Sequence, residues 1–339
     1  MQYNLDPRKE MILATVVEEY VQTAQPVGSK SVVKKGVRAS SATVRNEMAE
    51  LCEAGFLEQP HASSGRVPSD LGFRYYVDHL IDRRRLSPDD EDRLDLHRRS
   101  DWVGVDDLVS RTAMLLAELS RQVGVVMIAP GETAPLSAVY FRESGAGIRV
   151  LMQLADGSQE ERLVRNERGY DAAALNRLSN LLNRLAPGRT LFELRRELLR
   201  QMEETKADLY LARAVELSEQ VVAATMPEMV IRGQDHLFDL PEFAETWRIR
   251  EMVRALEERS ALARLLEQAT MAGATRVIIG AENSVAGMKH CAVIARGCGR
   301  GGQKSGTLAV IGPTRLDYAR LIPLVHHTSE LVSECLRLG

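Results

Sequence analysis

Three helical segments and a tight hairpin within the first 85 residues constrain the fold of this chain more than any other feature of its sequence. Residues 5–24 repeat apolar side chains with a period of 3.6 residues, which predicts an amphipathic helix. Pro26 ends that helix, because proline disfavours helical geometry in the residue before it. A short helix over 28–35 and a third helix over about 41–54 follow, each ended by a glycine.

The hairpin comes directly after the third helix. Residues 56–59 predict a short strand, the sequence PHASSG over 60–65 is rich in turn formers, and Arg66 begins the return strand. Ser69 is placed to cap a fourth helix that reaches about Arg84. This order of elements is that of a winged helix-turn-helix, so we expect such a domain over residues 1–85.

The rest of the chain alternates between strand-forming and helix-forming sequence. A charge-dense linker over 86–106, for which a partly helical conformation stays open, is followed by a helix over 107–122 and by strands near 123–130, 136–142 and 147–155. Then come helical patterns over 171–186, 190–224 and 242–270, strands over 276–280, 291–295 and 307–312, and a last helix over 315–338. This succession predicts the α+β class, with a sensor-like domain (107–165 and 250–339) that is interrupted by a mainly helical insertion (166–249).

The composition excludes several classes of protein. The 339 residues carry 44 Lys and Arg against 47 Asp and Glu, a net charge of −3, which argues against a uniformly basic nucleic-acid coat but allows a local basic face. No apolar run approaches the roughly 20 residues that span a bilayer, and the first residues do not resemble a secretory signal. The 4 cysteines form no CxxC pair or zinc pattern, which predicts reduced thiols in a cytoplasmic protein, and we expect no metal or cofactor.

Basic residues concentrate on the second helix, the start of the third helix and the hairpin. The segments 26–46 and 59–76 contain one anion, Asp70, and these cations: Lys30, Lys34, Lys35, Arg38, Arg45, Arg66 and Arg74. Acidic residues occupy the intervening stretch, 47–58. This layout favours a surface that meets DNA phosphates near one end of a helix over a solvated face with random charge.

The third helix is the predicted reading element. If its apolar stripe faces the core, Ala42, Arg45 and Asn46 point outward. Arginine can pair with guanine, asparagine with adenine, and the alanine methyl group can meet a thymine methyl group. Three hydroxyls lie at the helix N-terminus, where free amides favour a phosphate: Ser40, Ser41 and Thr43. A plain capping role for the serines, and a local cap or exposed polar role for Asn46, stay open.

The hairpin loop supplies further candidate contacts. Gly65 permits a tight turn, and Arg66 can reach a phosphate or the minor groove. His61 follows a proline, so a turn role is at least as suitable for it as a base contact. The complete set of candidate DNA contacts is Ser29, Lys30, Lys34, Ser40, Ser41, Ala42, Thr43, Arg45, Asn46, His61, Ser63, Ser64, Gly65, Arg66 and Arg74.

Several strings of this sequence occur together in one protein family. They are PVGSK, SSATVRNEM, QPH-x-S-x-GR-x-P and YYVD within residues 26–80, and VIIGAENS and TLAVIGPTRLDYARLIPLV within 277–325. With these strings the chain resembles the heat-inducible transcription repressor HrcA family. Cys52, Ser69 and Phe73 stand where that family leads us to expect Glu, Thr and Tyr, and none of them removes a predicted base contact.

The resemblance implies a dimeric repressor of chaperone operons that binds an inverted-repeat operator, called CIRCE, in double-stranded DNA. It implies that heat releases repression and that a chaperonin of the GroEL type keeps the repressor folded. It also implies that the sensor-like domain is GAF-like and that the inserted domain dimerises. A twofold dimer on an inverted repeat is, independently, what helix-turn-helix geometry predicts.

Three other interpretations are less favoured. The sequence GCGRGGQKSG over 297–306 misses the phosphate-loop pattern, because a glutamine separates the last glycine of the run from the lysine, and it predicts a loop between strands. A pocket lined by Glu282, Asn283 and Arg315 would make the chain a ligand-responsive winged-helix repressor, which is the alternative function. No set of nucleophile, base and acid predicts an enzyme.

Overall fold

The structure is a computed structural model that describes residues 5–82, 85–100, 104–128, 135–145, 147–166, 168–204, 212–217, 228–243, 246–270, 274–299 and 306–338. It combines helices with three sheets, which confirms the predicted α+β class. The chain divides into two units, one made of Met1–Val126 with Met229–Gly339 and the other of Met127–Glu228. The predicted loop over 297–306 lies partly outside the described residues.

The first unit begins with three helices and a two-stranded hairpin. These elements are α1 (Pro7–Thr23), α2 (Ser29–Lys34), α3 (Ser41–Glu53), β1 (Leu57–Glu58) and β2 (Val67–Pro68). They are followed by α4 (Asp70–Tyr75), which continues into one π-helical turn over Tyr76–Leu80. The helices and the hairpin predicted for this region are confirmed, although the fourth helix ends at Leu80 rather than near residue 84.

A helix occupies much of the segment that was expected to be a linker. α5 covers Pro88–Arg98 and is capped by the Ser87 hydroxyl, which accepts the backbone amide of Asp90 at 3.1 Å. Its first turn is acidic, which suits the positive end of the helix dipole. The apolar pattern did not reveal this helix, because Leu94 is its one buried apolar side chain. α6 (Gly104–Ser120) and β3 (Val123–Ile128) follow.

The second unit has a core of its own. Its three-stranded antiparallel sheet has the order β4 (Leu136–Ser144), β5 (Gly147–Leu154) and β6 (Gln159–Arg165). α7 (Ala172–Leu185), α8 (Leu191–Glu204) and the described part of α9 (212–217) complete it, and leucines such as Leu175, Leu194 and Leu198 are fully buried in its core. β6 was not predicted, because Val164 is its one buried residue and its sequence, QEERLVR, does not alternate apolar with polar residues. The predicted domain limits stay a prediction.

The remaining elements of the first unit complete a five-stranded sheet and the helices next to it. They are β7 (Glu228–Arg232), α10 (Thr246–Glu257), α11 (Arg259–Thr270), β8 (Arg276–Ile279), β9 (Cys291–Cys298), β10 (Gly306–Pro313) and α12 (Tyr318–Leu338). The strand order is β7-β3-β10-β9-β8, and β9 runs antiparallel to both β8 and β10. β10 is buried along its whole length. The short β7 was not predicted.

Candidate nucleic-acid interface

α3 presents the predicted reading face to solvent. Val44, Met48 and Leu51 are buried, which confirms the predicted inward stripe and leaves Arg45 and Asn46 exposed on the other side. Ala42 is also exposed and Thr43 is half-buried. The helix therefore offers two hydrogen-bonding side chains next to each other near its N-terminus, where a helix in a major groove meets base edges.

Hydroxyl groups organise the N-terminus of α3. The Ser40 Oγ accepts the backbone amide of Thr43 at 3.0 Å and so caps the helix. The Ser41 Oγ lies 2.9 Å from the Ser29 Oγ, and this hydrogen bond joins the start of α3 to the start of α2. Ser29 is 8% exposed, so its role in the structure is to fasten the two helices together. Lys30 and Lys34 on α2 are exposed.

The hairpin loop is held by its own hydrogen bonds. The Ser64 Oγ accepts the His61 backbone amide at 3.0 Å and donates to the His61 carbonyl at 2.7 Å. The Gln59 side chain donates to the carbonyls of Ala62 and Ser64. These bonds use the hydroxyl of Ser64 inside the loop and leave the side chains of His61 and Ser63 exposed.

A cleft of about 490 Å³ brings α3 and the hairpin loop together. Its lining consists of residues 27–29 before and within α2, Arg45 and Met48 of α3, Gln59, and residues 62–66 of the loop. We call it the α3–hairpin cleft. Gln59 was not among the predicted residues, although it is the first residue of the family string QPH-x-S-x-GR-x-P. The cleft shows that Arg45, Ser63, Ser64, Gly65 and Arg66 share one surface.

Arg66 is the least exposed cation of this surface. Its backbone pairs with Val27, and its side chain is half-buried, with Nη1 3.5 Å from the Ser64 carbonyl oxygen. Burial raises the pKa of the neighbouring Cys52 thiol, and the Arg66 guanidinium opposes that rise. The guanidinium therefore lies between the end of α3 and the loop.

Cations of α1 pair with the acidic side of α3. The Arg8 Nη2 lies 2.5 Å from Glu47 Oε1, and the Lys9 Nζ lies 2.8 Å from Glu50 Oε2. Glu47 is buried, so its carboxylate has Arg8 as a partner rather than bulk water. These pairs offset the negative charge of α3 beyond its first turn, while Arg45 on the same helix stays exposed.

The structure does not bring Arg74 to the α3–hairpin cleft. Its guanidinium donates to Glu282 from Nε at 2.8 Å and from Nη2 at 2.5 Å, and it pairs with Asp78 at 3.2 Å. Burial alone would lower the pKa of Arg74, but the carboxylates of Glu282 and Asp78 together outweigh it and the pKa is raised. Arg74 therefore serves an intramolecular contact, and we do not retain it among the proposed DNA contacts.

The residues expected around a ligand pocket also form hydrogen bonds or ion pairs with other residues of the protein. Glu282 binds Arg74, and the Asn283 Nδ2 donates to the carbonyls of Gly280 and Cys291 at 3.0 and 2.9 Å. Arg315 pairs with Glu242. Among the residues that the structure describes, no group of three His, Cys, Asp or Glu side chains is placed to hold a metal ion.

The chain is similar to a family of repressors over nearly its whole length. A family model for the HrcA protein C terminal domain matches residues 106–322. The heat-inducible transcription repressors HrcA of Geobacter sulfurreducens and Sorangium cellulosum are each 36% identical to the chain, over 343 and 339 residues, with 98% of both sequences covered in each case. A crystal structure described as a hypothetical protein at 2.2 Å resolution has the same fold, with a TM-score of 0.59 and 20% identity over 98% of this chain and 99% of that one.

Proposed function

Because the chain belongs to the HrcA family of heat-inducible transcription repressors, we propose that it represses heat-shock chaperone operons by binding an inverted-repeat DNA operator as a dimer. In this proposal it has no catalytic activity and needs no cofactor, and it acts in the cytoplasm. No helix in the described part of the chain has the length and apolarity that crossing a membrane requires.

The observation that carries this proposal is the α3–hairpin cleft. It sets Arg45, on an exposed helix face, beside a loop that ends in a second arginine, Arg66. We propose that residues 1–85 act as a winged helix-turn-helix, with α3 in the major groove and the hairpin as the wing. Arg45 and Asn46 then read bases and Ala42 meets a thymine methyl group.

The remaining proposed contacts hold the DNA backbone. Lys30 and Lys34 are exposed on α2, and Ser40, Ser41 and Thr43 surround the N-terminus of α3. These groups, with His61, Ser63 and Arg66 of the wing, are proposed to bind phosphates or the minor groove. Ser29, Ser64 and Gly65 support them by shaping the helix junction and the loop.

The rest of the chain is proposed to dimerise and to sense temperature. We propose that the five-stranded sheet belongs to a GAF-like domain and that the inserted domain, predicted over 166–249, dimerises the protein. A loss of 1–2 kcal/mol is already a large part of the total stability of a typical protein, so a marginally stable repressor loses DNA when heated. A chaperonin of the GroEL type would refold it and so couple its own supply to repression.

Fluorescence anisotropy tests this function directly. The full chain is titrated with an inverted-repeat duplex from a chaperone operon and with a scrambled duplex of equal length, over a series of salt concentrations. We expect the repeat to be preferred by roughly a thousandfold or more. Equal affinity for the two duplexes at every salt concentration would contradict sequence-specific repression.

The same titration, repeated with chaperonin and after heating, tests the regulation. Heating is expected to lower the fraction of active repressor, and chaperonin is expected to restore it. Unfolding far above the heat-shock range of the host, with DNA binding intact, would contradict control by stability.

A further inference from the structure

Two side chains of α4 are bound by a single turn that follows β8. The Asp70 Oδ2 accepts the backbone amide of Ala281 at 2.8 Å, and Arg74 makes its two-point ion pair with Glu282. Arg74 also donates from Nη2 to the carbonyl of Val277 at 2.7 Å. We call these contacts the α4 clasp. It joins the helix after the hairpin to the edge strand of the five-stranded sheet.

The turn on the sheet side is built to receive α4. The Glu282 Oε2 accepts the backbone amide of Ile279 at 2.9 Å, so the carboxylate that binds Arg74 also closes its own turn. Gly280 has φ of 53°, and a Cβ atom there would overlap the Asp70 carboxylate. A side chain at position 280 would therefore push the Asp70 carboxylate away from the Ala281 amide, and the positive φ also favours glycine at this place in the string VIIGAENS.

A second set of contacts fixes the same helices from another side. The Phe73 ring lies between Tyr20 of α1 and Tyr318 of α12, at centroid distances of 6.3 and 6.0 Å. Phe73 and Tyr318 are each 1% exposed. Arg315, which pairs with Glu242, donates to the carbonyl of Val21 at 3.2 Å. α1 and α4 are thus joined to α12, and to Arg315 just before it, by an aromatic cluster and by charged hydrogen bonds.

We propose that Arg74 and Glu282 are positioning residues that hold α3 at one fixed orientation to the sheet, so that the dimer accepts one spacing between its two half-sites. This inference rests on the proposed function, because it requires two copies on an inverted repeat. A reading helix on a flexible tether would tolerate altered spacing. A reading helix that shares a core with the rest of its unit does not, since each added base pair turns the second half-site by roughly 34° about the duplex axis.

The test compares full-length variants on duplexes in which the spacer between half-sites is native, one base pair longer or one base pair shorter. Glu282→Gln removes the charge that binds Arg74 but keeps an oxygen for the Ile279 amide. Asp78→Asn is the matched control, because it removes the partner of Arg74 within its own helix and leaves the clasp in place. A duplex with a single half-site measures the affinity of base recognition independently of the spacer length.

The wild type and Asp78→Asn are expected to lose about tenfold or more in affinity when the spacer changes. Glu282→Gln is expected to lose about threefold, with half-site affinity unchanged, because the aromatic cluster at Phe73 and the remaining hydrogen bonds of the clasp hold the reading helix less firmly than the charged pair does. The backbone amide of Ala281 should exchange its hydrogen faster in this variant than in the control. If Glu282→Gln does not fold, Arg74→Gln opens the same clasp from the other side.

Spacer discrimination by Glu282→Gln equal to that of the wild type would overturn the inference, and so would a loss of half-site affinity as large as the loss on the full site. A wild type that binds all spacers alike but prefers the repeat over scrambled DNA would overturn the inference and leave the proposed function standing. A wild type without any preference for the repeat would overturn both.

Discussion

The backbone amides of Val27 and Arg66 each donate to the carbonyl of the other residue, both at 2.8 Å. This reciprocal pair ties the second strand of the hairpin to the turn before α2. The loop that carries Arg66 is therefore set in position by the same segment that begins α2. As a result, the loop on one side of the α3–hairpin cleft is held in place by backbone hydrogen bonds.

The first prediction concerns Gly65, which lies against this bridge. A Cβ atom at Gly65 would overlap the Val27 carbonyl and the backbone of Pro26, neither of which can rotate away. Gly65→Ala should therefore lower the free energy of unfolding by about 1–3 kcal/mol and weaken DNA binding by displacing the hairpin. Urea unfolding and DNA titration measure the two effects.

Gly28→Ala serves as its control, since nothing lies within 4 Å of a Cβ atom at Gly28. It caps α2 without a side chain, so its replacement should cost about 1 kcal/mol or less. An equal decrease in the free energy of unfolding in the two variants would mean that close packing at Gly65 does not hold the hairpin in place.

The second prediction separates base reading from phosphate binding. Arg45→Ala should cost about 1–3 kcal/mol on the repeat and reduce discrimination against altered bases. Lys34→Ala, on exposed α2, should weaken all duplexes alike and make the salt dependence less steep by roughly one phosphate contact. Anisotropy titrations on specific and random duplexes distinguish the two. Equal losses by Arg45→Ala on both duplexes would refute its base-reading role.

The third prediction concerns a carboxylate that is buried next to α12. Asp90 is 2% exposed and accepts Arg320 Nη2 at 2.8 Å, and Arg320 also donates to the Leu119 carbonyl at 2.9 Å. Arg320→Ala should destabilise the protein by about 1–3 kcal/mol, because it leaves the buried Asp90 carboxylate without its partner, although water already reaches the 36% exposed Arg320 side chain. The measurement is chemical unfolding at neutral pH.

The comparison for that variant is an exposed ion pair. Arg98 lies 3.6 Å from Asp95 and 3.5 Å from Glu334 of α12, and all three side chains are about half exposed. Arg98→Ala should therefore cost less than about 1 kcal/mol. If the two arginine variants are equally stable, burial of Asp90 does not make its pair with Arg320 stronger than the exposed pairs of Arg98.

The fourth prediction is a loss of stability in acid that originates at His97. Burial lowers the pKa of His97 to about 4, with Arg111 contributing in the same direction, and the ring lies 3.0 Å from the Thr112 Oγ1. In the unfolded chain the pKa is about 6.5, so the unfolded state binds the proton more readily. The stability tied to a neutral ring is therefore full above pH 6.5 and decreases as the pH falls from 6.5 to about 4.

Urea unfolding at several pH values between 7 and 4 checks this sign. His97→Gln should remove the part of the pH dependence that belongs to His97, while His61→Gln, at an exposed position, should leave it unchanged. An identical pH dependence in the wild type and in His97→Gln would contradict the assignment.

The sequence predicted those elements whose local pattern agrees with their packing. The apolar stripe of α3 at Val44, Met48 and Leu51 is buried as expected, and the hairpin forms at the turn-rich loop. The sequence did not predict elements that bury few side chains. β6 has one buried residue, and α5 has Leu94 alone among buried apolar side chains, so neither shows a hydrophobic period.

The candidate site divides in the same way. The basic character of α2 and the hairpin, and the exposure of Arg45 and Asn46, follow from the sequence because charge and helical period are local properties. The ion pair of Arg74 does not follow from the sequence. Its carboxylate partner, Glu282, is 208 residues away, and an arginine at the surface of α4 looks identical in sequence whether it meets a phosphate or a carboxylate.

The sequence by itself therefore determined the family, the α+β class, the helices and hairpin of the first 85 residues and the cations they expose. Tertiary structure alone decided which of those cations stay exposed, how the Gly65 loop joins α2, and how α4 is fixed to the turn at Gly280. The physical reason is the distance along the chain over which each interaction acts. Helical period and capping act over a few residues, whereas ion pairs and close backbone approaches depend on where the folded chain brings distant segments together.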